Sequence, residues 1–151
     1  SSGIAFRYQK LAEGRAAAEK LVNDIPEPGK RERMRSITFE GTESPLFSEA
    51  IRQFRQLISD IEAALGGRDW LVGDTFSLAD IAYAPYATRL DHLQLSGMWH
   101  PDSRFADWYA RLRARPGYQA GLTVWFNDGY LSLMAEKGAE AWPQVQEILA
   151  A

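Results

Sequence analysis

The chain has 151 residues, 46% hydrophobic and 25% charged, the balance of one globular domain and too short for two of full size. Its 17 basic and 20 acidic residues leave a net charge of −3, which argues against a protein that wraps nucleic acid phosphate. Cysteine is absent, which excludes thiolate chemistry, disulfides and Cys-bound zinc, and fits a reducing, cytoplasmic setting.

The N-terminal run Ser1-Ser2-Gly3-Ile4-Ala5-Phe6-Arg7 lacks the basic-then-apolar order of a secretory signal. It also lacks an initiator Met, so the expectation is a processed chain or a piece of a longer one. Tyr8, Leu11, Ala12, Ala18, Leu21, Val22 and Ile25 recur every three or four positions, which predicts a helix over 4–23. Pro26-Glu27-Pro28-Gly29 breaks it. A short, strongly charged helix is predicted over 30–39, and Gly41-Thr42-Glu43 is the next break.

Ser44-Pro45 is a start signal, a capping hydroxyl before proline at the first helical position. Phe47, Ala50, Ile51, Phe54, Leu57, Ile58, Ile61 and Leu65 form the stripe behind it, and Gly66-Gly67 stops the helix. After an apolar connector over 70–76, Ser77 caps the next helix and Asp80 reciprocates at its third position. Phe76 and Ile81 flank this box as a hydrophobic staple. Substituting Ser77 or Asp80 by Ala is expected to cost about 1 kcal/mol or somewhat more. Pro85 predicts a bend, or a partner for the freed carbonyl of Ile81. Pro101-Asp102 opens another helix, which carries Phe105, Trp108, Tyr109 and Leu112 and stops at Arg115-Pro116-Gly117. Shorter helices are predicted near 118–126, 129–137 and 143–149. The longest uncharged stretch, 116–127, is well short of the roughly 18 apolar residues of a membrane span. With no period-two segment and no internal repeat, the chain reads as a single all-α, multi-helix domain over 1–151.

Few residues point to chemistry. His92 and His100 lie eight apart across a Gly-containing break, and with Asp91 and Asp102 they make no metal-ligand spacing. No Gly-rich loop follows a strand, and no Gly-x-Ser-x-Gly elbow occurs. Asp69/Asp74 and Glu136/Glu140 read as surface charges. Lys30, Arg31, Arg33 and Arg35 read as a solvated helix face, and Arg111, Arg113 and Arg115 as complements to a helix dipole. No residue is assigned a catalytic role. The aromatics, 5 Trp, 6 Tyr and 7 Phe, are richer. Phe54, Phe105 and Trp108 sit at core positions. Tyr8, Tyr83, Tyr86, Trp125, Phe126 and Tyr130 suit either packing or a pocket for a flat organic molecule.

The segment Trp70-Leu71-Val72-Gly73-Asp74-Thr75-Phe76-Ser77-Leu78-Ala79-Asp80-Ile81-Ala82 closely resembles the motif that opens the central helix of the glutathione S-transferase C-terminal domain, bacterial type. The long helix over 45–65 precedes it. Arg89-Leu90-Asp91-His92-Leu93 follows, and the aromatic-rich helix ends in Trp108-Tyr109-Ala110-Arg111-Leu112-Arg113-Ala114-Arg115-Pro116. The resemblance covers about residues 45–120 and rests on motif order. The family's thioredoxin-like N-terminal domain, which binds glutathione and carries the activating residue, has no counterpart in this sequence. The Pro26–Gly29 break and the charged helix after it depart from the family pattern.

The resemblance implies a parent enzyme that conjugates glutathione, as co-substrate, to a small hydrophobic electrophile. This chain would supply the electrophile pocket and part of a homodimer interface, beside the thioredoxin-like N-terminal domain. The family lines that pocket from its first helix, central helix and C-terminal segment, which on this chain implies Tyr8, Arg15, Arg89, Trp125 and Tyr130. Arg89 leads, with a structural ion pair to an Asp as its other reading. A non-catalytic interaction module and a stand-alone binder of apolar ligands are the alternatives.

Overall fold

Gly14 divides the first predicted helix in two. Its φ of 95° lies where only glycine is unstrained, so the apolar spacing runs on through the residue while the backbone does not. The computed structural model describes residues 3–151; Ser1 and Ser2 of the N-terminal run lie outside the described residues. α1 (Gly3–Leu11) and α2 (Arg15–Asn23) flank the turn, and α3 (Pro28–Glu40) follows. Pro28 starts α3 at its first turn rather than breaking it, because its missing N–H is unneeded there.

The basic run of α3 ties this corner together. Arg31 donates to the carbonyls of Ile25 at 2.9 Å and Pro26 at 3.2 Å. Arg35 donates to Asn23 Oδ1 at 2.6 Å, and Arg33 lies 3.8 Å from Glu27. From α1, Arg7 donates to the carbonyls of Thr38 at 3.0 Å and Phe39 at 3.4 Å, satisfying the C-terminal end of α3.

α4 (Pro45–Leu65) begins as predicted, with Ser44 Oγ accepting from the Leu46 N–H at 3.2 Å. Phe47, Ile51, Ile58, Ile61 and Leu65 are buried along one face. α5 (Leu78–His92) opens on the capping box of Ser77 and Asp80. Pro85 lies within α5, and both it and Ile81 are exposed, so the freed carbonyl opens to solvent and the helix continues.

α6 (Arg104–Ala114) starts three residues after the predicted Pro101, because Ser103 Oγ accepts from the Ala106 N–H at 3.1 Å and caps it. α7 (Pro116–Gly121) is shorter than predicted and gives way to a 3₁₀ turn over Thr123–Trp125. The last two predicted helices are one, α8 (Asp128–Ala150), which runs through Pro143. Pro143 and Ala139, whose carbonyl it frees, are both exposed, while Ala141, Val145 and Ile148 are buried. Core packing on one face thus carries α8 past a residue that interrupts only its wet face.

Among the described residues there is no strand. The core lies where α4, α5, α6 and α8 meet, around Ile51, Leu65, Leu90, Phe105, Trp108 and Val145, each large side chain contributing about 1.5–3 kcal/mol of burial. At its centre the carboxylate of Asp80, wholly buried, accepts from Trp108 Nε1 at 2.9 Å and from the Leu71 N–H at 3.0 Å. Asp80 therefore does more than cap: it fastens α5 to α6 and to the connector ahead of it. Gly138 brings α8 against the end of α5, where any Cβ would overlap the Leu93 carbonyl. This approach sets the spacing of the two helices that frame the site.

Candidate functional site

Two clefts open along α5 on either side of Pro85 and Leu122, which line both. The one between α5 and α8 measures about 210 Å³. From α5 it takes Pro85, Thr88, Arg89 and His92, and from the start of α8 Asn127, Tyr130, Leu131 and Met134. Both sets follow i, i+3, i+4, i+7 spacing, so each is one face of a helix. Trp125 and Phe126, on the turn before α8, close the outer end.

Arg89 is half-buried in this cleft. Its Nη1 lies 3.4 Å from Tyr130 Oη and 2.8 Å from Met134 Sδ, and its guanidinium carbon stands 5.9 Å from the centre of the Tyr130 ring. The structure shows no Asp partner for it among the described residues; its contacts are a phenol, a thioether and a ring face. Asp91, two residues on, instead accepts from Tyr109 Oη at 3.0 Å and meets Arg113 at 3.4 Å. His92 packs edge-on against Phe126 with ring centres 4.6 Å apart. Burial lowers the pKa of this imidazole; Asp91 opposes that, and Arg89 and Arg113 add to it. The cleft is thus an apolar slot with one fixed cation and a neutral-leaning imidazole on its wall. Its volume lies below the roughly 300–1,000 Å³ of drug-sized sites, which suits a compound of one ring.

The five residues implied by the resemblance separate into two groups. Arg89, Tyr130 and Trp125 meet in this cleft, with Trp125 highly exposed at its rim (80%). Tyr8 lies elsewhere, joining α1 to α8: the Lys137 ammonium stands 4.4 Å from its ring centre, and its hydroxyl is 3.5 Å from Glu140. Arg15 sits at the start of α2, paired with Glu19 at 3.1 Å and stacked 4.9 Å from the Phe39 ring centre. Thr88 and Met134 carry no sequence signal of their own, and His92 is weighed in the sequence only as a metal ligand. Their spacing from Arg89 and Tyr130 along each helix was the available signal.

The second cleft, about 350 Å³, lies between α5 and α7 and is lined by Phe76, Ile81, Ala84, Leu112, Arg115 and Tyr118 among others. A run of hydroxyls lies behind it. Tyr118 Oη and Thr88 Oγ1 are 2.8 Å apart, so the lining of one cleft is bonded to the lining of the other. Burial also raises the pKa of Tyr109 beyond the ordinary phenol range, which keeps its hydroxyl protonated.

Comparison with known proteins follows the same geography. The family model described as "Glutathione S-transferase, C-terminal domain" matches residues 32–111, which include Arg89 and exclude Tyr8, Arg15, Trp125 and Tyr130. The 2,5-dichlorohydroquinone reductive dechlorinases of two Sphingobium indicum strains are 34% identical over 86 residues, covering 54% of this chain and 25% of each enzyme. "Glutathione S-transferase TCHQD" of Arabidopsis thaliana is 32% identical over 73 residues, 48% of this chain and 27% of the plant protein. The match therefore spans about a quarter of the length of these relatives. No solved structure matches the chain significantly.

Proposed function

This chain belongs to the glutathione S-transferase C-terminal domain family, and from that membership we propose that its α5–α8 cleft holds a small aromatic electrophile for conjugation to glutathione. The observation that carries the reading is Arg89, half-buried and set against the Tyr130 ring and Met134 in an otherwise apolar slot. A flat ring would lie against Tyr130, Phe126 and Trp125, and an oxygen substituent would accept from the guanidinium. A thioredoxin-like domain would bring the glutathione thiolate to the mouth of the cleft, where proximity replaces a bimolecular encounter. The sulfur would then attack a chlorine-bearing ring carbon made electrophilic by an electron-withdrawing substituent or, in a chlorinated hydroquinone, by the keto tautomer of the ring. The C–S bond forms, chloride leaves, and a proton is lost as the ring regains aromaticity. The relatives named for 2,5-dichlorohydroquinone make a chlorinated hydroquinone the first compound to test.

The same reading accounts for α5, which is apolar on both sides. Leu78 and Tyr86 are more than half exposed on its outer side. Such a face calls for a covering partner, and the proposed cover is the thioredoxin-like domain, in a cytoplasmic homodimer. Among the described residues no helix is long and apolar enough to cross a membrane.

The test uses the native protein that carries this chain, captured from its source cells and assayed by mass spectrometry for a glutathione adduct of 2,5-dichlorohydroquinone. The expected result is an adduct whose kcat/KM falls at least tenfold in Arg89→Gln, about 1.4 kcal/mol of transition-state binding. Ring binding with no adduct formed in the presence of glutathione would replace this reading with a stand-alone binding domain. Neither binding nor adduct would leave the interaction module.

A further inference from the structure

The cleft between α5 and α7 carries chemistry that the α5–α8 cleft does not. Three arginines follow one another at the end of α6, and two have acid partners: Arg111 with Asp69 at 3.8 Å and Arg113 with Asp91 at 3.4 Å. Among the described residues Arg115 has neither a carboxylate partner nor a side-chain hydrogen bond. Its guanidinium instead lies over the Phe76 ring, 3.7 Å from the ring centre, with the centre of the Trp70 ring, set nearly perpendicular to Phe76, 5.4 Å away. Stacking occupies the flat face of a guanidinium and leaves its edge N–H donors, the ones that match a carboxylate, unused.

That cation sits at the wall of a cleft of about 350 Å³ whose lining contains no acidic residue. The other walls are Ile81, Ala84, Pro85, Leu112 and Leu122, with the Tyr118 ring. Tyr118 Oη is already engaged with Thr88 at 2.8 Å, so Arg115 is the one charged anchor in the lining. On the α7 side Gly117 and Gly121 have nothing within 4 Å of a would-be Cβ, which keeps that wall open. An apolar, partly aromatic slot with a single cation whose edge is unpaired complements one kind of molecule: a flat hydrophobic body bearing one anionic group.

We infer that the α5–α7 cleft is a second binding site, specific for an aryl carboxylate whose ring lies between α5 and α7 and whose carboxylate pairs with Arg115. The site is separate from the electrophile slot. Pro85 and Leu122 form the shared wall, and Arg89 lines only the other side.

The experiment is calorimetric titration of the 151-residue chain with 2-naphthoate and with its neutral counterpart, 2-naphthamide. The two ligands share a ring system and differ in charge, so the comparison needs no variant. Naphthoate is expected to bind at least tenfold more tightly than naphthamide, and to weaken with added salt. Arg115→Gln should remove that advantage and leave naphthamide unchanged, with far-UV circular dichroism confirming the helices. Arg89→Gln should leave naphthoate affinity unaltered. Equal affinity for the two ligands overturns the proposal. So does loss of naphthoate binding in Arg89→Gln in place of Arg115→Gln, which would move the anion into the α5–α8 cleft.

Discussion

Trp108 Nε1 donates to Asp80 Oδ1 at 2.9 Å, and neither residue is exposed to solvent. The same carboxylate accepts from the backbone N–H groups of Leu71 and Ser77, at 3.0 and 2.9 Å, and from Ser77 Oγ at 3.1 Å. The sequence-based expectation of about 1 kcal/mol counted only the cap. Asp80→Ala would also strand an indole N–H and a backbone N–H in the core. It is expected to cost about 3–5 kcal/mol, as for loss of a buried charged partner. Ser77→Ala should stay near 1 kcal/mol. Urea denaturation of both variants checks the gap; equal costs would return Asp80 to a purely local role.

Burial works against the Asp80 charge, but the hydrogen bonds from Leu71, Trp108 and Ser77 outweigh it and hold the carboxyl below its ordinary value. A carboxyl depressed in the folded state contributes stability that is complete above its unfolded pKa of about 3.9. That contribution is lost as pH falls from there through the lower folded value. Asp80→Asn should therefore lower Tm at neutral pH and narrow its difference from the parent below about pH 4. A constant difference across pH 2–7 would contradict it.

His92 gives the complementary profile. Burial against Phe126 lowers its folded pKa, so its contribution is complete above the unfolded value of about 6.5 and declines as pH falls below that. His92→Gln should flatten the stability profile between roughly pH 6.5 and the lower folded value. Proton NMR titration of the imidazole supplies the direct check, with a midpoint below the ordinary one expected.

Gly138 and Gly117 form a matched pair of backbone tests. A Cβ at Gly138 meets the Leu93 backbone, whereas one at Gly117 meets nothing within 4 Å. Gly138→Ala must push α8 away from the end of α5, at a cost of about 1–3 kcal/mol or more. Gly117→Ala, within α7, should be neutral or stabilise by about 0.4–1 kcal/mol. Chemical denaturation separates the two outcomes. A harmless Gly138→Ala would mean the approach of α8 to α5 is looser than described.

Local signals in the sequence located much of this architecture. Ser44-Pro45 and Ser77 with Asp80 mark the starts of α4 and α5 because caps depend on residues three or four apart. Arg89 was reachable because its helix and face followed from the motif around it. Tertiary effects were not legible. The Asp80–Trp108 bond joins positions 28 apart, and α8 crosses Pro143 because packing on one face overrides a local breaker. The Gly14 turn leaves no mark on the apolar spacing, which runs on through it. Tyr8 and Arg15 fall outside the cleft because the Gly14 turn and the Pro28 start fold α1–α3 into a separate corner, bound to one another and to α8.

The central claim is that the α5–α8 cleft receives a single aromatic ring beside Arg89. Trp125, 80% exposed at its rim, supplies a reporter. The most direct measurement is fluorescence titration of the chain with 4-chlorophenol, alongside Trp125→Phe and Arg89→Gln. The account predicts saturable quenching that largely disappears in Trp125→Phe and shifts at least tenfold to weaker binding in Arg89→Gln. Quenching that is linear in the phenol, or saturable and indifferent to both substitutions, would contradict it.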